Sequence, residues 1–419
     1  MTHRQTLEGS TTIVGAGIIG LCIAISLTRA GRNVTVLDTS LPGTGASFGN
    51  GGLISVDTMQ PIAVPGMLRH VPGWLSDPSG PVTVKPSYAL AAAPWLWQWI
   101  RAGRMDRVKA ASHALRQLHK DAYDGYRDLL GPALFQDLIK ASGVVQVWES
   151  EHESRSDIVA QQLRDMHEIK TNVLSADDLR ELFPGISSHI KRGVLLTRNG
   201  YTINPGRLTS ALAEILVREG GSVRQERVMK ILPQEGSGFN LITNIANHYS
   251  ARVIVAAGAW SKSLLKPLGV SLPLEAERGY HLLLQDCSLK LQMPVMHRGR
   301  GFGLTPMEEG MRLSGTVEFG GLDAPPSEQR ALVLKNHAEK VFPEIRGTNG
   351  RIWMGLRPSL PDSVPAIGRV PSYSDLFVAV GHGHYGMTGA PSTGKLLMEI
   401  IENRPPHIEP NPYALERFC

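Results

Sequence analysis

The chain has 419 residues, a net charge of +5, and 42% hydrophobic against 19% charged residues, with an isoelectric point near 9.1. This length predicts two packed domains, and 44 Gly with 28 Pro scattered without a short period exclude collagen-like, coiled-coil and disordered chains. No Lys/Arg block marks a nucleic-acid partner, and three cysteines (Cys22, Cys287, Cys419) are too widely spaced for zinc and odd in number for a disulfide framework, which predicts a reducing, cytoplasmic setting.

The apolar run from Ile13 to Leu27 is interrupted by Gly15, Gly17 and Gly20 and lacks a small-residue cleavage site, so it is not read as a signal peptide. No later segment has about 18 apolar residues in succession, so no membrane span is expected. Thr11 to Val14 reads instead as a buried strand that enters a helix, continuing to about Ala30, through Gly15-Ala16-Gly17-Ile18-Ile19-Gly20. The first glycine permits a tight turn, the second lets backbone approach a pyrophosphate, and the third lets helix pack on strand. Gly31 ends the helix, Asn33 to Leu37 is the second strand, and Asp38, followed by Thr39, closes it where a carboxylate can accept from ribose hydroxyls. The complete strand-helix-strand unit predicts dinucleotide binding over a mere packing turn. It does not separate NAD from FAD.

Next comes the glycine-dense loop Ser47-Phe48-Gly49-Asn50-Gly51-Gly52, followed by Leu53, where backbone could lie along a flat polar ring. Four of seven tryptophans fall between Trp74 and Trp99; Trp95 and Trp99 share a helix face, which favours core packing, with docking at a membrane interface as the alternative. Val144 to Trp148 is a strand candidate. Asn204-Pro205-Gly206 precedes an amphipathic helix, Arg207 to Glu219, ended by Gly220-Gly221, and a strand around Val228 could meet an adenine through its backbone. Ala251 to Val255 is an apolar strand opening on Ala257, Gly258 and Trp260. Tyr280 to Leu284, Met311 to Glu318 and Arg351 to Leu356 are further strands, the last ended by Arg357-Pro358. Finally, the strand Leu376 to Val380 leads through Gly381-His382-Gly383-His384-Tyr385-Gly386-Met387-Thr388-Gly389 into an apolar helix ending near Ile401. Its N-terminus suits negative charge on a reduced flavin, which a purely NAD-dependent fold does not need. Two histidines without clustered carboxylates or cysteines predict no metal.

Together these segments resemble the FAD-dependent D-amino-acid dehydrogenase and glycine oxidase family. The resemblance rests on the glycine triplet with Asp38, Ser47 to Gly52, Val255-Ala256-Ala257-Gly258-Ala259-Trp260, Gly355-Leu356-Arg357-Pro358, Pro361-Asp362, Pro365-Ala366-Ile367-Gly368 and Gly381-His382-Gly383. It implies an α/β protein with a discontinuous Rossmann-like, glutathione-reductase-like FAD-binding domain (9–56, 195–270 and 351–419). An α+β substrate-binding domain with an antiparallel sheet (57–194 and 271–350) would complete it. FAD would be non-covalent, since no Cys or His stands where sarcosine oxidases attach it, and would be held by Gly15, Gly17, Ile18, Ile19, Gly20, Asp38, Thr39, Ser47, Asn50, Gly51, Gly52, Leu53, Val228, Ala257, Gly258, Trp260, Gly383, Gly386, Met387 and Thr388.

The implied reaction is oxidative deamination of a D-amino acid, D-proline or D-hydroxyproline on the narrower reading, by hydride transfer from Cα to flavin N5. An imine and then a 2-oxo acid would follow. Arg357 would bind the substrate carboxylate; Tyr280 is a pocket wall or carboxylate donor, His384 and Tyr385 border the amine, and Glu318 either joins them or makes a surface ion pair. Electrons would go to a quinone or the respiratory chain, with peripheral contact at the inner face of the cell membrane and a homo-oligomer both compatible. Two departures bear on substrate identity: Gly49 and Gly51 stand where the broad-substrate dehydrogenases have alanines, and His384-Tyr385 replaces a Thr-Leu pair. The rivals are an O₂-using oxidase, a flavin-binding subunit of a larger complex, and an NAD-dependent dehydrogenase.

Overall fold

A computed structural model describes residues 10–67, 71, 73, 77 and 79–418; residue 9, Trp74 and Cys419 lie outside that set. Strands Ser10–Val14 and Asn33–Asp38 pair in parallel, with Val14 opposite Leu37. Across its other edge Ser10–Val14 pairs with Arg252–Val255, which pairs with Leu376–Val380. Ser222–Gln225 and the antiparallel Ala366–Arg369 close the two edges of this six-stranded sheet. Val253 to Val255 and Leu376 to Val380 are unbroken buried apolar runs because both faces of the sheet are covered. Helix Ile18–Arg29 is buried nearly all round, against the sheet, helix Pro205–Arg218 and helix Gly386–Ile401. Gly394 allows that last contact, since a Cβ there would lie 2.7 Å from the Cys22 backbone. Burial pushes the Cys22 thiol pKa far up, leaving it unreactive.

The second layer is a nine-stranded sheet. At its heart the long strand Glu275–Gln285 runs antiparallel between Gly310–Phe319 and the edge strand Thr348–Ser359. Strand alternation gives this sheet two faces. One buries Tyr280, Leu282 and Leu284 against Ala331, Leu334 and Ala338 of helix Glu328–Val341; the other looks toward the nucleotide-binding layer.

Several expected boundaries move. The helix predicted from Arg207 starts at Pro205, where the side chain of Asn204 accepts from Arg207 N at 3.0 Å. The strand expected to stop at Leu356 continues through Arg357 and Pro358 to Ser359, because proline is tolerated on an edge strand. Residues 195 and 351 therefore do not separate the domains: both fall inside ladders of the nine-stranded sheet, in strands Arg192–Leu196 and Thr348–Ser359. The strand Val228–Pro233 belongs to a small antiparallel sheet rather than to the main one.

Of the tryptophans on helix Ala89–Ala102, Trp95 is core, with its Nε1 donating to Ser359 O at 3.2 Å. Trp97 is 62% exposed and Leu90 92% exposed. Among the described residues no helix is long and apolar enough to cross a membrane.

Candidate active site

The three fingerprint glycines have separable roles. Gly15 has φ +117° and a Cβ there would lie 2.3 Å from Ala256 O; a Cβ at Gly20 would lie 1.9 Å from Gly15 O. Backbone packing alone therefore demands both. Among the described residues outside its own helix and chain neighbours, a Cβ at Gly17 would come within 4 Å of Ser47 Oγ alone, at 3.5 Å. The middle glycine thus faces open space at the N-terminus of helix Ile18–Arg29, where Ser47 Oγ accepts from Ile18 N at 3.0 Å and no side chain caps the helix from Gly17. A pyrophosphate would meet backbone rather than side chain there, at the positive end of the helix.

Beside it, Asp38 accepts from Ala16 N at 2.6 Å and from Ser40 N at 2.9 Å. Thr39 O accepts from Gln225 Nε2 at 3.3 Å, which draws the segment leading to Val228 toward the carboxylate end. Ile19 packs against the core. At the mouth of strand Arg252–Val255 stand Ala257, Gly258 at φ +55°, and Trp260, half exposed.

Facing this helix N-terminus, the loop after Ser47 is clasped by the nine-stranded sheet. Four successive loop carbonyls are taken: Phe48 O at 3.2 Å and Asn50 O at 2.7 Å by Arg312 Nη1, Gly49 O at 3.0 Å by His281 Nδ1, and Gly51 O at 2.9 Å by Thr305 Oγ1. Burial, aided by Arg312, lowers the His281 pKa to about 4, so its ring is neutral and Nδ1 carries the proton. Neighbouring side chains of the same sheet explain the glycines that depart from alanine. A Cβ at Gly49 would lie 2.1 Å from the Trp353 ring, and one at Gly51 2.8 Å from Ser314 Oγ. Asn50 Oδ1 accepts from Gly52 N at 2.8 Å, and Leu53 begins the short strand Leu53–Ile54.

Register assembles the rest of the face. Glu277, Gly279 and His281 lie opposite Arg357, Gly355 and Trp353. The Arg357 guanidinium lies over Gly279, where a Cβ would be 2.1 Å from its Cζ. Half-buried, it donates to Thr316 O at 3.2 Å, and no carboxylate among the described residues lies within 4.0 Å of it. Burial presses its pKa down while Glu277 pushes it back up. Glu277 is 3% exposed and accepts from His384 Nε2 at 2.7 Å. Burial raises its carboxyl pKa, but His384 and Arg357 outweigh that and hold it below the usual value.

His384 and Tyr385 sit in the short turn Gly383–Tyr385 before helix Gly386–Ile401. Tyr385 donates to Gln60 O at 2.9 Å, and burial raises its pKa. A bridge between Ser359 and His382 joins this turn to the strand of Arg357. The helix start is fastened through Met387 O, which accepts from Tyr126 OH, and through Thr388 Oγ1, which accepts from Ser55 N at 2.9 Å.

Two expectations are corrected. Tyr280 does not border Arg357: next to Gly279 on a strand, it points to the opposite face, where its OH donates to Glu318 at 2.6 Å beneath helix Glu328–Val341. Glu318 is neither at the site nor on the surface; it is 4% exposed and pairs with the fully buried Arg278 at 2.9 Å. Four residues that the sequence reading passed over, Glu277, His281, Arg312 and Trp353, complete the face. Period two counted from Gly279 would have found Glu277 and His281; nothing local marks the other two.

A glycine-lined helix N-terminus on a largely parallel sheet, faced by a second, largely antiparallel sheet, is the architecture of a two-layer flavoprotein. Over residues 10–400 the chain matches the family described as DAO, FAD dependent oxidoreductase, and it belongs to that family. It is 33% identical to a D-amino-acid oxidase of Bradyrhizobium diazoefficiens over 97% of this chain and 98% of that one. It is 28% identical to a D-amino acid dehydrogenase of Dechloromonas aromatica over 95% and 98%. Among solved structures, glycine oxidase from Geobacillus kaustophilus superposes with a TM-score of 0.73 at 21% identity, covering 97% of each chain. The protein is an FAD-dependent amino-acid oxidoreductase.

Proposed function

We propose that the chain deaminates a D-amino acid oxidatively, a cyclic one such as D-proline or D-hydroxyproline on the narrower reading, and hands the electrons to an acceptor other than O₂. The observation that carries the reading is Arg357, a guanidinium without a carboxylate within 4.0 Å among the described residues, laid over Gly279 on the face opposite the cofactor cradle. A planar fork bound through Nη1 to Thr316 O keeps its remaining N–H groups for a substrate carboxylate. Glu277, held by His384, places a negative charge where a substrate ammonium can be received. Trp353 stacks on His281 with centroids 5.1 Å apart, and an aromatic surface on this face would suit a ring better than a long charged chain.

FAD would be held non-covalently by the glycine triplet, Asp38 and the Ser47–Gly52 loop, and when bound would supply a two-electron acceptor. With its carboxylate on Arg357 the amino acid would lose a hydride from Cα and a proton from nitrogen, and water would hydrolyse the imine to a 2-oxo acid and ammonia, or, if it is cyclic, to an open-chain amino 2-oxo acid. The exposed Leu90 and Trp97, near the exposed Arg101 and Arg104, support peripheral membrane contact and a quinone as acceptor.

A second reading, an oxidase that uses O₂ directly, is favoured by the name of the relative at 33% identity. The test is anaerobic mixing of the purified holoenzyme with D- and L-amino acids, including proline and 4-hydroxyproline isomers, followed by air. D-specific bleaching that air reverses only slowly supports the dehydrogenase; rapid reoxidation selects the oxidase.

A further inference from the structure

The clasp on the Phe48–Gly51 loop holds a charge that the fold leaves unbalanced. Arg312 is 3% exposed, yet no carboxylate among the described residues lies within 4.0 Å of it, and its Nε is buried without a partner. Glu309, whose charge acts on it from a distance, is exposed. Burial depresses the Arg312 pKa to about 10, which leaves it fully charged at neutral pH. A buried cation without a counter-ion is destabilising, and an apolar residue of similar length would fill the same space at lower cost. Loop fastening alone does not explain the charge, since Thr305 and His281 fasten the same loop as neutral groups.

All four carbonyls from Phe48 to Gly51 turn toward the sheet, and the N–H groups of Gly49 and Gly51 make no hydrogen bond among the described residues. Those amides are available to the cofactor that the cradle begins to bind. Reduction of FAD by two electrons and one proton leaves a reduced anion. That charge would be added on the ring, where oxidised FAD has none, whereas the pyrophosphate carries the same charge in both states and cannot discriminate between them.

We propose that Arg312 is a positioning residue with an electrostatic role: through the Phe48–Gly51 loop it favours the reduced over the oxidised cofactor and so sets the flavin's potential. The claim rests on the cofactor, not on the substrate reading, so a wrong amino-acid assignment leaves its test intact.

The test is dye-equilibrated reduction of holoenzyme, without amino acid, in wild type, R312M, R312K and T305V, with FAD affinity measured alongside. R312M is expected to lose at least tenfold in relative affinity for reduced FAD, a downward shift of about 30 mV for a two-electron couple. R312K, which keeps the charge but not the fork, should change that ratio less than threefold while binding FAD more weakly. T305V should weaken FAD binding without moving the potential. If R312M retains no FAD, R312Q replaces it, and a tenfold difference between R312Q and R312K supports the proposal as directly. An unchanged potential in R312M (or R312Q), or an equal shift in T305V, overturns it.

Discussion

Replacing Arg357 by lysine removes the planar fork while leaving a positive charge. In the structure the guanidinium lies over Gly279, where a Cβ would be 2.1 Å from Cζ, and one N–H is spent on Thr316 O at 3.2 Å. A lysine ammonium is a compact point charge, able to bond either Thr316 O or one carboxylate oxygen well, but not to present two parallel donors. A charge-assisted hydrogen bond is worth about 1.5–3 kcal/mol, so losing one of the pair should raise KM for the amino acid about ten- to a hundredfold. FAD content and thermal stability should stay near wild type, because Arg357 makes no ion pair within 4.0 Å among the described residues. Steady-state kinetics with an artificial acceptor, alongside the absorbance ratio of flavin to protein, measures both. A KM within twofold of wild type, with FAD bound, would refute the assignment of Arg357 to the carboxylate.

Other outcomes follow from the same geometry. Gly279→Ala should displace the Arg357 guanidinium and raise KM at least as much as R357K, whereas Gly131→Ala, at φ +75° with open space around it, should affect stability alone; equal kinetic effects would contradict this. Gly17→Ala should lower FAD affinity about tenfold or more while the apoprotein melts as before, but Gly20→Ala, whose Cβ would lie 1.9 Å from Gly15 O, should fail to fold stably; matching melting curves for the two would be inconsistent with separable roles. Burial lowers the pKa of His119 and His281 to about 4 each, from 6.5. Their unfolded forms therefore bind protons first, so their stability contribution is complete above pH 6.5 and is lost as pH falls toward 4. Melting temperature should accordingly fall from pH 7 to pH 5, less so in His281→Asn, and an equal fall in that variant would count against burial of a neutral His281.

The nucleotide half of this fold was legible because its signals are local. Three glycines, two flanking strands and Asp38 occupy one short stretch, and each residue's role depends on neighbours within that stretch. The candidate site on the facing sheet is only partly legible, because it is made by register between strands far apart in the chain. Glu277 meets Arg357 across a ladder that sequence spacing does not encode, and Thr316, an extra residue at φ +52°, shifts the neighbouring register so that Gly279 faces Val317 while Tyr280 faces Gly315. As an aromatic beside a glycine, Tyr280 has the local signature of a pocket residue. Yet once Gly279 is fixed beneath Arg357, alternation sends Tyr280 to the helix side. Pro358 suggested the end of a strand, and it would have been one anywhere but at a sheet edge. Arg312 left no local trace, since its partners are backbone carbonyls some 260 residues earlier, with Asn50 separated from it by 262 positions.

Anaerobic titration of holoenzyme, wild type beside R357K, with D-proline, D-alanine and their L-enantiomers tests directly whether an amino acid lies between the Arg357 face and bound FAD. Stoichiometric loss of flavin colour with a D-enantiomer, and the same end point reached in R357K only at ten- to a hundredfold higher concentration, is the predicted result. A flavin that stays oxidised with every amino acid tried, or that is reduced equally well in R357K, would contradict it.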